Sequence, residues 1–194
     1  RSSRGGDVTY HGPGQMVVYP IIDLKSKLRK DVHRYLRLLE RSAIRTLESF
    51  GIVAERNPPW TGIWIGGRKI AAIGVAVRRG ITYHGLALNV NTDLTYFQRI
   101  IPCGLAWSEV TSMAKELGTD QSIEAVKQRF ATNLAALFGY SEIKSLANLL
   151  DFQAQKGTSY EAREGPRAEA YSSSTLARSG PSAPIKTPAS GRLW

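Results

Sequence analysis

The stretch from Gly62 to Asn91 constrains the fold of this chain more than any other. Gly62–Ile65 and Lys69–Val77 flank Gly66-Gly67-Arg68, the signature of a tight β-hairpin. Gly80 marks a further turn, and Thr82–Asn91 reads as another strand. Ile70–Val77 is the longest uncharged apolar run. It is strand-sized, far short of the ~20 apolar residues that cross a membrane as a helix. A sheet built on this block needs helices to cover it, and the sequence supplies them. Residues 31–50 carry apolar groups at Val32, Leu36, Leu39, Ala43, Leu47 and Phe50, the spacing of an amphipathic helix, with Gly51 as its stop. A short helix is expected over Ser112–Leu117, followed by Gly118. Another starts near Ser122, with Val126, Phe130, Leu134 and Phe138 in helical phase and Gly139 as the stop. Met16–Ile22 is apolar and β-branched and reads as a strand.

The ends of the chain read differently. Residues 1–15 are rich in Gly and polar residues and finish on His11-Gly12-Pro13-Gly14-Gln15, a shaped loop. Between Asp151 and Trp194 the only large aliphatics are Leu176, Ile185 and Leu193, among many Ala, Ser, Gly and Pro. Such a segment buries too little to offset its ordering entropy, so it is expected to be a disordered, low-complexity tail. The folded unit expected is therefore 1–150, with a tail of 151–194.

Net charge is +10 over 194 residues. A basic surface fits nucleic acid, an acidic protein partner or anionic lipid equally well. The densest Lys/Arg stretch, Lys25–Lys30, leads into a helix rather than forming a nucleic-acid tail. One cysteine excludes an internal disulfide, and with three scattered histidines it makes a closed structural zinc site an unpromising reading. No metal and no cofactor is expected.

The chemistry centres on Cys103. A lone cysteine is ordinarily a small buried hydrophobe. Here Pro102 stiffens its approach, and Gly104 allows another chain or a ligand close to the sulfur. A thiol of pKa ~8.5 is only slightly ionised at neutral pH and needs a neighbouring cation or base. His33 falls on the polar side of its helix, whereas His11 and His84 sit at Gly-rich turns and could line a site. Lys69 is the other candidate, at the entrance of an apolar strand, where a lysine is ordinarily a snorkelling surface residue. The residues alone do not choose between Lys and His. The loop Arg4–Tyr19 is the strongest local signal. It lacks the Lys-Ser/Thr of a P-loop, and Gly12-Pro13-Gly14 does not fit a dinucleotide fingerprint.

Arg4-Gly5-Gly6-Asp7-Val8-Thr9-Tyr10-His11-Gly12-Pro13-Gly14-Gln15, followed by Tyr19, resembles the signature of the lipoyl(octanoyl) transferase family. The resemblance continues through Gly67–Gly74, His84–Val90, Ile101-Pro102-Cys103-Gly104 and Val110-Thr111-Ser112, five ordered motifs over about residues 1–140. It implies an α/β fold like the catalytic domain of biotin and lipoate ligases, an α+β mixed sheet with helices packed on it. Family members carry a strand and a helix before the Arg-Gly-Gly motif, so this chain is expected to lack N-terminal elements and to be marginal in stability. The resemblance makes Cys103 the residue that forms an acyl-thioester and Lys69 the one that lowers its pKa. Arg4, Gly5, Gly6, Asp7, Val8, Thr9, Tyr10 and His11 would bind the acyl substrate, together with Ala72, Ile73, Gly74, Gly85, Leu86 and Ala87. Ile73, Gly74, Leu86 and Ala87 would line an apolar slot in which the glycines make room for the acyl chain.

The implied reaction takes an octanoyl group from octanoyl-acyl carrier protein to a lysine on the lipoyl domains of 2-oxoacid dehydrogenase complexes or the glycine cleavage H protein. Nucleic acid and membrane are not expected partners. The implied location is the cytoplasm in a bacterium and an organelle in a eukaryote. One alternative is an ATP-dependent lipoate or biotin ligase on the same fold, which needs no catalytic cysteine; the Pro-Cys-Gly setting of Cys103 speaks against it. The other is a basic nucleic-acid-binding domain, hinted at only by Arg78-Arg79 and residues 25–30.

Overall fold

The computed structural model describes residues 8–100 and 109–144. Its centre is a five-stranded sheet built from β1 (Gln15–Val18), β2 (Glu55–Asn57), β3 (Trp60–Ile65), β4 (Arg68–Arg78) and β5 (Ile81–Asn89), in the order β1-β5-β4-β3-β2. Every paired strand is antiparallel. A parallel bridge, Lys69 to Val110, adds to the β4 entrance. Helices α1 (Leu24–Leu28), α2 (Val32–Glu48), α3 (Met113–Leu117) and α4 (Ile123–Leu137) complete the α/β architecture.

Turn chemistry sets the register. Gly66 and Gly67 both have positive φ, 52° and 80°, so β3 and β4 join through a two-residue turn whose twist matches that of the strands. Arg68 belongs to β4 rather than to the turn. Arg79 and Gly80 do the same between β4 and β5. The helices start where short polar side chains can accept the first free N–H groups: Asp23 caps α1, Asp31 caps α2, Ser112 caps α3 and Ser122 caps α4. Gly118 ends α3 in the left-handed conformation.

Four local features depart from the pattern read off the sequence, the first being α1, which overlaps the Lys25–Lys30 stretch expected only to lead into a helix. The strand expected over Met16–Ile22 is cut to Gln15–Val18. Pro20 has no N–H to give the ladder, and the chain instead rejoins β5 through Thr82, whose hydroxyl donates to the Pro20 carbonyl at 2.7 Å and accepts from the Ile22 N–H at 2.9 Å. The polar Glu55–Asn57 forms edge strand β2. A 3-10 helix at Leu94–Arg99 is capped by Asp93, whose carboxyl is held below its usual range by the Thr95 hydroxyl and backbone N–H.

Apolar burial divides into two clusters. In the larger, Met16, Ile63, Ile70, Leu86 and Leu88 from the sheet meet Ala43 and Leu47 of α2 and Val126 and Phe130 of α4. The smaller joins Ile22, Leu24, Leu28, Tyr35, Leu39 and Phe138. Ile73 and Leu134 pack against both. Residues alternate in strands, so with Leu86 and Leu88 committed to the core, Ala87 and Asn89 are presented to the other side, where the site lies.

Candidate functional site

The site is assembled on the β1–β5–β4 part of the sheet. Its main cavity holds about 270 Å³ and is lined by Thr9, His11, Tyr19, Ala72, Ile73, Gly74, His84, Gly85, Leu86 and Ala87. The β4–β5 register explains why two separate sequence segments meet there: Ala72 lies opposite Ala87, Ile73 opposite Leu86 and Gly74 opposite Gly85. The loop 8–14 then closes one side with Thr9 and His11.

Beside this cavity is a small recess lined by Thr9, Gln15, Lys69, Ala71, Ala72, Ala87, Asn89, Phe97 and Val110. It shares Thr9, Ala72 and Ala87 with the first. Lys69 is only 6% exposed, so it does not snorkel to the surface. Three neighbours hold it. Its backbone N–H donates to the Glu109 carbonyl at 2.8 Å, and its own carbonyl accepts from the Thr111 N–H at 2.9 Å. Its Nζ sits 4.9 Å from the ring centre of Trp64, the residue directly across β3–β4, where the negative ring face favours an ammonium. Gly62 makes this packing possible. At φ 141°, a Cβ there would lie 2.9 Å from Lys69 Cε, 3.0 Å from the Trp64 ring and 2.8 Å from the Ala71 carbonyl oxygen.

A row of side-chain hydrogen bonds runs along the same face. Gln15 and Asn89 are direct cross-strand partners, and Gln15 Nε2 donates to Asn89 Oδ1 at 2.9 Å and to the Tyr10 carbonyl at 3.3 Å. Asn89 Nδ2 donates to the Thr111 carbonyl at 3.0 Å. His11 Nδ1 meets Gln15 Oε1 at 2.8 Å. Beyond them, the Thr111 hydroxyl donates to Glu116, which Arg68 grips with two nitrogens. The loop, β1, β5 and the Thr111 segment are thus tied around the site by polar contacts.

The residues proposed from sequence fall into three groups. Thr9, His11, Ala72, Ile73, Gly74, Gly85, Leu86 and Ala87 line one cavity, and Lys69 lines the recess that adjoins it. Val8 is 53% exposed, and Tyr10 turns away to stack on Tyr96 at 5.1 Å and edge-on to Phe97 at 5.4 Å. Arg4, Gly5, Gly6, Asp7 and Cys103, and the whole of 151–194, lie outside the described residues. At Gly85 the missing side chain serves the sheet: a Cβ would fall 2.2 Å from the Val18 carbonyl oxygen. His84, like His11, lines the cavity, from within β5 at a left-handed φ of 59° and edge-on to Tyr19 at 5.8 Å. Gln15, Tyr19, Asn89, Phe97 and Val110 were assigned no role from sequence. The signal for two of them was there, because Gln15 opens the apolar Met16–Val18 and Asn89 follows the apolar Leu86–Leu88. Among the described residues, no group of three or more His, Cys, Asp or Glu side chains could hold a metal ion.

Residues 1–135 match the family model of the lipoyl protein ligase A/B catalytic domain. Over 139 residues the chain is 55% identical to an octanoyltransferase of Solibacter usitatus, covering 72% of this chain and 62% of that protein. It is 52% identical to one from a Thermoanaerobacter species, over 72% of this chain and 61% of the relative. With one from Myxococcus xanthus it shares 45% over 84% of this chain and 47% of the relative. The chain therefore spans about three-fifths or less of the length of these curated relatives. Among solved structures, a bipartite lipoate protein ligase from Thermoplasma acidophilum superposes with TM-score 0.55 at 18% identity, over 79% of this chain and 62% of that one. Biotin protein ligase from Aquifex aeolicus gives 0.53 at 16%, over 65% and 53%. At such identities the ligases speak for the fold alone.

Proposed function

Because the chain belongs to the lipoyl protein ligase A/B catalytic-domain family, we propose that it is an octanoyltransferase, moving an octanoyl group from an acyl-carrier-protein thioester through Cys103 to a lysine of a lipoyl domain. The observation that carries this reading is the cavity itself. The segments 9–11, 72–74 and 85–87 converge on about 270 Å³ of space beside a buried lysine. A cavity of roughly 150 Å³ holds a six-carbon ring, so this one is of the right scale for an eight-carbon chain. Its six methylenes would contribute about 5 kcal/mol on burial, at ~0.8 kcal/mol each. The relatives at 45–55% identity, named octanoyltransferases, favour this reading over an ATP-dependent ligase.

Lys69, held as an ammonium against Trp64, stabilises the Cys103 thiolate. The thiolate attacks the carrier's thioester carbonyl carbon; an S–C bond forms, and the carrier's thiol leaves as thiolate. Octanoyl then lies over the paired segments 72–74 and 85–87. A neutral lysine amine of the acceptor attacks the new thioester, the electrons of the breaking C–S bond return to Cys103, and the surplus proton on nitrogen passes to a base of the site or to solvent. Thioester to amide is downhill, so no nucleotide is consumed.

The test is the intact mass of the protein after incubation with octanoyl-carrier protein. One octanoyl group should be gained on Cys103, and none by Cys103→Ala. Transfer by the alanine variant at an unchanged rate would overturn the covalent route.

A further inference from the structure

The carboxamide row on the site face determines a proton position that the heavy atoms do not record. Asn89 is oriented first. Its Nδ2 faces the Thr111 carbonyl, which can only accept, so Oδ1 is the atom turned toward Gln15. Gln15 follows: its nitrogen sits between two acceptors, Asn89 Oδ1 and the Tyr10 carbonyl, so its oxygen is the atom that faces His11. An amide oxygen only accepts, and the contact at 2.8 Å therefore requires a proton on His11 Nδ1. A neutral imidazole protonated on Nδ1 carries its lone pair on Nε2, and His11 is one of the residues that line the cavity.

We propose that Gln15 and Asn89 are positioning residues that lock His11 in the Nδ1–H tautomer and so present Nε2 to the substrate as a proton acceptor. The use of that acceptor rests on the octanoyltransferase reading above. In the second half-reaction the acceptor amine forms its N–C bond as the C–S bond breaks. The surplus proton on nitrogen passes to His11 Nε2, giving an imidazolium that returns it to the departing thiolate or to solvent. Lys69, or a water it holds, is the competing acceptor, and in this division of work Lys69 stabilises the anion while His11 removes the proton. The anchor is β5 paired to β1, an ordered sheet rather than the loop that carries His11.

The experiment is long-range proton–nitrogen NMR on the 194-residue protein, with its three histidines assigned by single His→Gln variants. Neutral His11 should show a protonated Nδ1 and a bare Nε2, and Gln15→Met should release it to the Nε2–H form that imidazole prefers in water. A bare Nδ1 in the parent protein, or a Gln15→Met spectrum unchanged at His11, would overturn the proposal. A second variant, Asn89→Leu, removes the anchor without touching the His11 contact and should give the same change; no change there would show that Asn89 is not the anchor. The kinetic arm measures, for Gln15→Met, the rate of amine attack on the octanoylated protein relative to its rate of loading. That ratio should fall, by less than the roughly 10²-fold of a lost proton acceptor, because the imidazole remains and only its tautomer is released. An unchanged ratio would overturn the acceptor role. Failure of the parent protein to load octanoate at all would instead remove the transferase reading and leave the tautomer result standing.

Discussion

Lys69 shows how one residue's role depends on the space around it. A lysine at the mouth of an apolar strand would ordinarily lift its charge into water. Here it is buried, with its amine over the Trp64 ring and its main chain paired to residues 109–111. On the proposed pairing of Lys69 with Cys103, loss of the amine should alter the thiol's ionisation. Lys69→Ala is expected to cut the iodoacetamide reactivity of Cys103 at neutral pH by about tenfold, the effect of returning a thiol from a lowered pKa toward ~8.5. The single cysteine makes the readout unambiguous. Equal rate–pH profiles for parent and variant would remove Lys69 from this role.

At the scale of elements, the site depends on how closely β1 approaches β5. The pairing of Gln15 with Asn89 through Val18 with Leu86 brings the Val18 carbonyl against Gly85. A methyl at that position meets backbone 2.2 Å away, which no side-chain rotation relieves. Gly85→Ala should therefore push β1 outward, cost about 2–3 kcal/mol as overpacking does, and break the Gln15–Asn89 contact with it. A lowered denaturant midpoint with unchanged slope would report this. An unchanged midpoint would mean that β1 shifts at no cost and that its close approach is not needed for stability.

For the molecule as a whole, α2 ties the two apolar clusters together, supplying Tyr35 and Leu39 to one and Ala43 and Leu47 to the other. Tyr35 is fully enclosed, edge-on to Phe138 at 6.0 Å, with its hydroxyl directed to the Pro20 carbonyl. Burial raises its phenol above the ordinary 10.0, and a hydrogen bond with Thr82 partly opposes this. A group whose folded pKa is raised stabilises the fold below its unfolded pKa and loses that contribution as pH rises through the folded one. Stability should thus be insensitive to this group up to about pH 10 and fall above it. Tyr35→Phe should flatten the alkaline fall in chemical-denaturation curves, and an equally steep fall in the variant would show that other groups cause it.

Much of this was legible in the sequence because it is local. The Gly66-Gly67 turn and the 3.6-residue spacing of α2 and α4 depend on neighbours along the chain. The helix starts at Ser112 and Ser122 are equally local. The motif resemblance went further and named most of the cavity's lining. Three things required the tertiary structure. One was the end of β1 at Val18, which Thr82 decides from across the sheet. Another was the burial of Lys69, which depends on Trp64, Gly62 and residues 109–111 closing around it. The last was the ordering of Gln15, Asn89 and His11, three polar side chains that become one hydrogen-bonded row only when β1 and β5 pair in register. Period and turn chemistry are written in consecutive residues, whereas a buried charge and an oriented proton depend on groups far apart in the chain, and only the folded sheet brings those within reach.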